Sequence, residues 1–175
     1  MTEAALRDAL AALSRRIQEH GYVVATDGNC SARMDDGRFL ITPSGVRKGE
    51  VGASDLVLCN ADGGPLEPPH AVPSSEARLH AVIYAERPDV GVVCHAHPTV
   101  TVALSLAGQE VAACLLPEIL IAVGTVATAT YGTPTTKRAA EVVRRVCRGA
   151  NAIVLDRHGS VTLGRDCREA FHCLE

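Results

Sequence analysis

The run VGVVCHAHP, residues 90–98, constrains the fold more than any other stretch of this chain. It is apolar at successive positions, as a strand buried within a sheet is, and Pro98 closes it. Side chains along a strand alternate between its faces. Cys94 and Ala96 therefore enter one layer, while His95 and His97 point together to the other side. Such a strand needs cover on both faces of its sheet, and the rest of the chain offers it.

Helical spacing covers residues 3–20, with Leu6, Leu10, Leu13 and Ile17 on one side and Gly21 as a stop. GYVVAT (21–26), FLIT (39–42) and DLVLCN (55–60) read as short strands, and ADGGP (61–65) as a turn. A second helix begins in PSSEARLHAVIYAERPD (73–89), with Ser74 or Ser75 as N-cap and Pro88 past its end. PTVTVALSLAG (98–108) is a helix closed by Gly108, and the apolar residues 110–132 are read as strands. TTKRAAEVVRRVCRGA (135–150) is a helix, NAIVLDRHG (151–159) and SVTLG (160–164) form a strand pair, and DCREAFHCLE (166–175) starts a last helix. This alternation implies one α/β domain over residues 1–175, its sheet covered by helices on both faces.

Several function classes drop out on composition. A net charge of −3, with no basic block interleaved with aromatics, argues against a nucleic-acid partner. No apolar run approaches the roughly 20 residues of a membrane span, so no membrane partner is expected. The amphipathic N-terminus is not laid out as a signal peptide. The seven cysteines are odd in number, form no CxxC pair and sit largely in apolar stretches, which favours reduced thiols and a cytoplasmic location.

Two imidazoles two residues apart on a strand can both reach one ion at about 2.0–2.1 Å. The same HxH can equally end a core strand with both rings hydrogen-bonded, and the pair alone leaves both readings open. A TIM-barrel HxH enzyme needs about 250 residues, and the glutamate that a cupin places soon after the pair is missing from PTVTVALS. Further ligands must come from elsewhere. His158 in DRHGS stands at a strand end, as a ligand or as an ordinary turn histidine. Glu76 in PSSE falls in the first turn of a helix, where a capping or dipole role competes with a catalytic one. His80, one helical turn on, is read as a supporting partner or a core histidine and not as a ligand. The loops DGNCS (27–31), TPSG (42–45) and PSS (73–75) suit an anion, or are plain turns; Asp27 slightly weakens the anion reading.

Taken together, GNCSAR (28–33), FLITPSG (39–45), PSSEARLHAVIYAERPDVGVVCHAHP (73–98), LPEI (116–119) with YGTP (131–134), and VLDRHGSVTLGRDCREAF (154–171) resemble, in order, the class II aldolase/adducin family. The resemblance implies a three-layer αβα sandwich around a mixed, largely antiparallel sheet. It implies His95, His97 and His158 as ligands of Zn2+ or another divalent metal, and Glu76 as both ligand and catalytic base. Asn29, Ser44, Gly45, Ser74 and Ser75 match the family's site for the substrate phosphate. The implied activity is that of a zinc-dependent aldolase, an aldehyde-lyase. It would cleave a short ketose or deoxyketose 1-phosphate, of the L-fuculose-1-phosphate kind, to dihydroxyacetone phosphate and an aldehyde. The implied partners are a small phosphorylated sugar and further copies of the chain in a homotetramer.

The same fold serves sugar-phosphate epimerases, dehydratases and decarboxylases, and non-catalytic adducin-type interaction modules. Those modules tend to lack the metal ligands, which are all present here. The epimerases tend to carry Asp where this chain has Glu76. Two departures bear on chemistry. No tyrosine follows soon after LPEI, and the sequence ends at FHCLE, before the segment in which the family places a second catalytic tyrosine. The chain is thus expected to be short at its C-terminus, and the resemblance assigns no proton donor.

Overall fold

Thr2 opens the molecule's first helix: its hydroxyl accepts the Ala5 N–H at 3.3 Å, and α1 runs Glu3–Glu19 with Leu10, Leu13 and Ile17 buried. The computed structural model describes residues 1–66, 72–111 and 117–175. Residues 21–26, expected as a strand, are instead a turning segment. The Tyr22 N–H returns to Ile17 O, the Asp27 N–H returns to Val24 O, and Ala25 takes a φ of 49°. The strand begins later, as β1 (Asn29–Arg33), in residues read as a loop because NCSAR has little β-propensity.

Then follow β2 (Phe39–Ile41), β3 (Val57–Cys59), α2 (Ala77–Glu86), β4 (Val92–Ala96) and α3 (Thr99–Leu106). The apolar stretch after α3 differs from its reading as strands. It holds α4 (Pro117–Ala122), opened by Pro117 and Glu118, before β5 (Val126–Ala129); residues 112–116, with Leu116 of LPEI, lie outside the described residues. The chain closes with α5 (Lys137–Val146), β6 (Ala152–Leu155), β7 (Gly159–Gly164) and α6 (Cys167–Leu174).

One seven-stranded sheet results, in the order β3-β2-β1-β4-β7-β6-β5. Its pairings are antiparallel except β5 with β6, which makes the sheet mixed and mostly antiparallel, as expected. Val92, Cys94 and Ala96 pack with Leu10, Leu13 and Ile17 of α1 and with Phe171 of α6. Val93, Val161 and Leu163 pack on the other side with Leu79 and Ile83 of α2 and Val143 of α5. The central strand β4 is thus covered on both faces, and the sandwich has three layers. The six cysteines among the described residues are free thiols. No described helix is long and apolar enough to cross a membrane.

Candidate metal centre

Three elements meet at one end of β4. His95 and His97 leave the strand on the same side, their ring centroids 4.8 Å apart. His158 arrives from the turn between β6 and β7, which Arg157 bends with a φ of 56°. Gly159 lets this turn close on β4: a Cβ there would stand 2.4 Å from Ala96 O and 2.7 Å from the His97 ring. One nitrogen from each of the three histidines lies within 4.8 Å of the others.

Glu76 comes from the entry to α2. The helix starts at Ala77, one residue later than a serine cap would set it, and Glu76 holds the N-cap position. Its side chain makes no capping bond; the local turn is closed instead by Ser74, whose hydroxyl accepts the Glu76 N–H at 3.3 Å. The carboxylate is therefore free to face the histidines. Oε2 lies 3.2 Å from His95 Nε2, and Oε1 lies 4.0 Å from His158 Nε2. Oε1 is buried with no hydrogen-bond partner.

His95 Nδ1 lies 2.9 Å from the Ser160 carbonyl, which can only accept, so Nδ1 carries a proton and Nε2 is the nitrogen turned toward the cluster. That nitrogen meets a carboxylate oxygen at 3.2 Å and His97 Nε2 at 3.0 Å. On its far side, His97 Nδ1 is 3.7 Å from Asp27 Oδ2, the usual outer partner of a ligating histidine. Burial, then His95, lowers the pKa of His97; the same two causes push His158 down to about 4. Both rings are neutral near pH 7, the form that binds metal. Burial raises the Glu76 pKa, but His95 and the Asn29 amide beside the carboxyl outweigh it and leave it lowered, as a carboxylate. Three imidazoles whose ligand nitrogens converge, with a carboxylate beside them, fit a divalent cation such as zinc.

A cavity of about 340 Å³ opens beside the cluster, lined by Glu76, His97 and His158 and by Asn29, Ser44, Gly45, Ser74 and Ser75. The structure therefore brings every sequence-predicted site residue to one place, with His95 set behind the cavity wall. The Ser44 and Ser74 N–H groups are already bonded to Val72 O and Thr42 O, at 2.8 and 3.1 Å. An anion there would meet the side-chain hydroxyls instead. Asn29 is also occupied: Nδ2 donates to Glu76 Oε2 at 2.8 Å, and Oδ1 accepts from His80 Nε2 at 2.5 Å.

Sequence reasoning missed Lys48. It lines the cavity yet is 1% exposed, and Nζ donates to Thr26 O at 3.0 Å and Val46 O at 2.7 Å. Burial lowers its pKa, and among the described residues no carboxylate lies within ion-pairing reach. VRKGEVG has no periodicity that would mark this lysine as interior. Tyr131 does not line the cavity; the Arg157 guanidinium stands over its ring at 4.8 Å.

Comparison with known proteins agrees with this geometry. A family profile, Class II Aldolase and Adducin N-terminal domain, matches residues 8–175. A methylthioribulose-1-phosphate dehydratase of Sorangium cellulosum is 42% identical over 113 residues, 59% of this chain and 53% of that protein. The chain thus aligns with about half the length of that relative. A 5-methylthioribulose-1-phosphate/5-deoxyribulose-1-phosphate aldolase of Rhodospirillum rubrum is 32% identical over 170 residues, 95% of this chain and 74% of that one. The solved structure of an L-fuculose 1-phosphate aldolase superposes with a TM-score of 0.90 at 27% identity, covering 99% of this chain and 82% of the other.

Proposed function

From the premise that the chain belongs to the class II aldolase and adducin family, we propose that it is a divalent-metal-dependent aldolase. Its substrate would be a short deoxyketose 1-phosphate, cleaved to dihydroxyacetone phosphate and an aldehyde. The observation that carries this reading is the convergence of the three histidines and the unpartnered Glu76 Oε1 at one cavity, lined by His97, His158, Glu76 and the serine loops. Names of relatives support the substrate class: both the dehydratase and the aldolase are named for a methylthioribulose 1-phosphate, and the aldolase also for 5-deoxyribulose 1-phosphate.

His95, His97 and His158 would hold the ion, with Glu76 beside them. When bound, a divalent ion supplies Lewis acidity toward the substrate carbonyl and stabilises the charge that develops as the carbon–carbon bond breaks. Ser44, Gly45, Ser74 and Ser75 bind the phosphate and so fix the reacting carbons. Glu76 takes the proton from the hydroxyl on the far carbon of the bond that cleaves. That oxygen becomes the aldehyde, and the bonding pair passes to the carbon next to the carbonyl.

A dehydratase on the same substrate class is the second reading, favoured by the 42% identity within the aligned segment. There Glu76 would instead take a proton from carbon, and a neighbouring hydroxyl would leave as water. The two are separated by incubating the zinc-loaded protein with 5-deoxyribulose and 5-methylthioribulose 1-phosphates. Enzymatic reduction of released dihydroxyacetone phosphate reports the aldolase. A phosphorylated diketone without that release reports the dehydratase. Glu76→Gln should keep most of the zinc and lose turnover at least about 100-fold, because an amide cannot take the proton. A variant as active as the parent removes Glu76 as the base.

A further inference from the structure

Behind Glu76 the interior holds a run of polar side chains that the proposed chemistry does not use. Asn29 and Ser31 lie two residues apart on β1, and His80 and Tyr84 lie four apart on α2, after Glu76. The two elements interdigitate. Asn29 Nδ2 meets Glu76 Oε2 at 2.8 Å, His80 Nε2 meets Asn29 Oδ1 at 2.5 Å, Ser31 Oγ meets His80 Nδ1 at 2.6 Å, and Tyr84 Oη meets Ser31 Oγ at 2.7 Å. Ser31 and His80 are fully buried, and Asn29 and Tyr84 nearly so.

Each donor in this run is dictated by the next acceptor. The carboxylate can only accept, so Asn29 must turn its NH2 toward Glu76 and its carbonyl toward His80. His80 Nε2 must then carry the proton. Burial keeps the ring neutral, so Nδ1 accepts, and the Ser31 hydroxyl donates to it. Ser31 Oγ in turn accepts from Tyr84. The order from Tyr84 to Glu76 runs one way, and the carboxylate ends it. Oε2 is tethered by Asn29 and lies 3.2 Å from His95 Nε2, while Oε1, 4.0 Å from His158 Nε2, has no hydrogen-bond partner.

We propose that His80, Ser31 and Tyr84 are positioning residues which, through Asn29, hold Glu76 by Oε2 so that Oε1 is the oxygen presented to the metal and substrate. The functional consequence rests on the reading of Glu76 as the base; the hydrogen-bond order does not. His80→Leu removes the donor to Asn29, whereas His80→Gln retains an N–H donor at nearly the Nε2 position. In metal-free protein, the Asn29 side-chain N–H bonded to a carboxylate should resonate downfield in ¹H–¹⁵N spectra. That signature should be lost in His80→Leu and kept in His80→Gln. In zinc-loaded protein with the ketose 1-phosphate that it cleaves, His80→Leu should lower kcat about 10- to 100-fold with KM changed less than about 2-fold, since small displacements of a reacting group act on the chemical step. His80→Gln should restore most of it.

Tyr84→Phe keeps the ring's packing on Phe39 and removes only the first donor. It should shift the Asn29 resonance partway and lower kcat about 3-fold, and it serves if His80→Leu does not fold. An Asn29 resonance identical in the parent and a folded variant, or equal losses of kcat in His80→Leu and His80→Gln, overturns the proposal. An intact resonance pattern in a protein that turns over no ketose phosphate overturns the functional reading while supporting the tether.

Discussion

At the scale of single residues, the centre is a matter of where protons sit. His80 has its pKa pushed down to about 3 by burial, against about 6.5 in an unfolded chain. Between those values the unfolded state binds one proton more than the folded state, so His80 makes stability fall as pH drops below about 6.5. The slope approaches about 1.4 kcal/mol per pH unit over the middle of that window. Urea unfolding of metal-free protein at pH 5 and pH 7 should show a larger loss on acidification for the parent than for His80→Gln, which cannot titrate. Equal losses would mean that His80 is not held neutral. The residues that meet at the centre were legible in the sequence: strand alternation puts His95 and His97 on one side, and the family resemblance of the motif order points to Glu76 and His158. Their states were not. The placing of a proton on His95 Nδ1 depends on Ser160 O, and the orientation of Asn29 depends on His80; both partners lie more than 50 residues away in the chain.

Among the elements, legibility followed periodicity. Helices α1, α5 and α6 and the β6–β7 pair were readable because spacing and caps agreed; the Thr136 and Asp166 side chains accept backbone N–H groups as expected of N-caps. β1 was missed because its residues become a strand through pairing with β2 and β4 and not through local preference. α4 was missed because an apolar run gives no period to separate helix from strand. The closure of the β6–β7 turn on β4 yields a direct test. Gly159→Ala would drive a Cβ against Ala96 O, so β4 or the turn must move. A loss of about 1–3 kcal/mol is expected, with weaker zinc binding because His97 and His158 flank the contact. A variant matching the parent in melting temperature and zinc affinity would show that the turn has room to spare.

Across the whole molecule, the proposed ligands come from β4, from the β6–β7 turn and from the entry to α2. An ion held there would tie together elements that the unfolded chain keeps far apart. Zinc at about 100 times its dissociation constant would add about 2.7 kcal/mol to folding, or roughly 5–10 °C in melting temperature for a domain of this size. Calorimetry after chelation and again after zinc is restored should show that rise; a melting temperature indifferent to zinc would remove the metal centre. The interdigitation of α2 with β1 has a further consequence, since it works like a vernier. Four residues of helix advance about 6.0 Å, and two residues of antiparallel strand about 6.8 Å. The two scales therefore agree across two rungs and drift by roughly 0.8 Å with each one added. One residue inserted between Asn29 and Ser31, or between Glu76 and Tyr84, would put the rungs out of step.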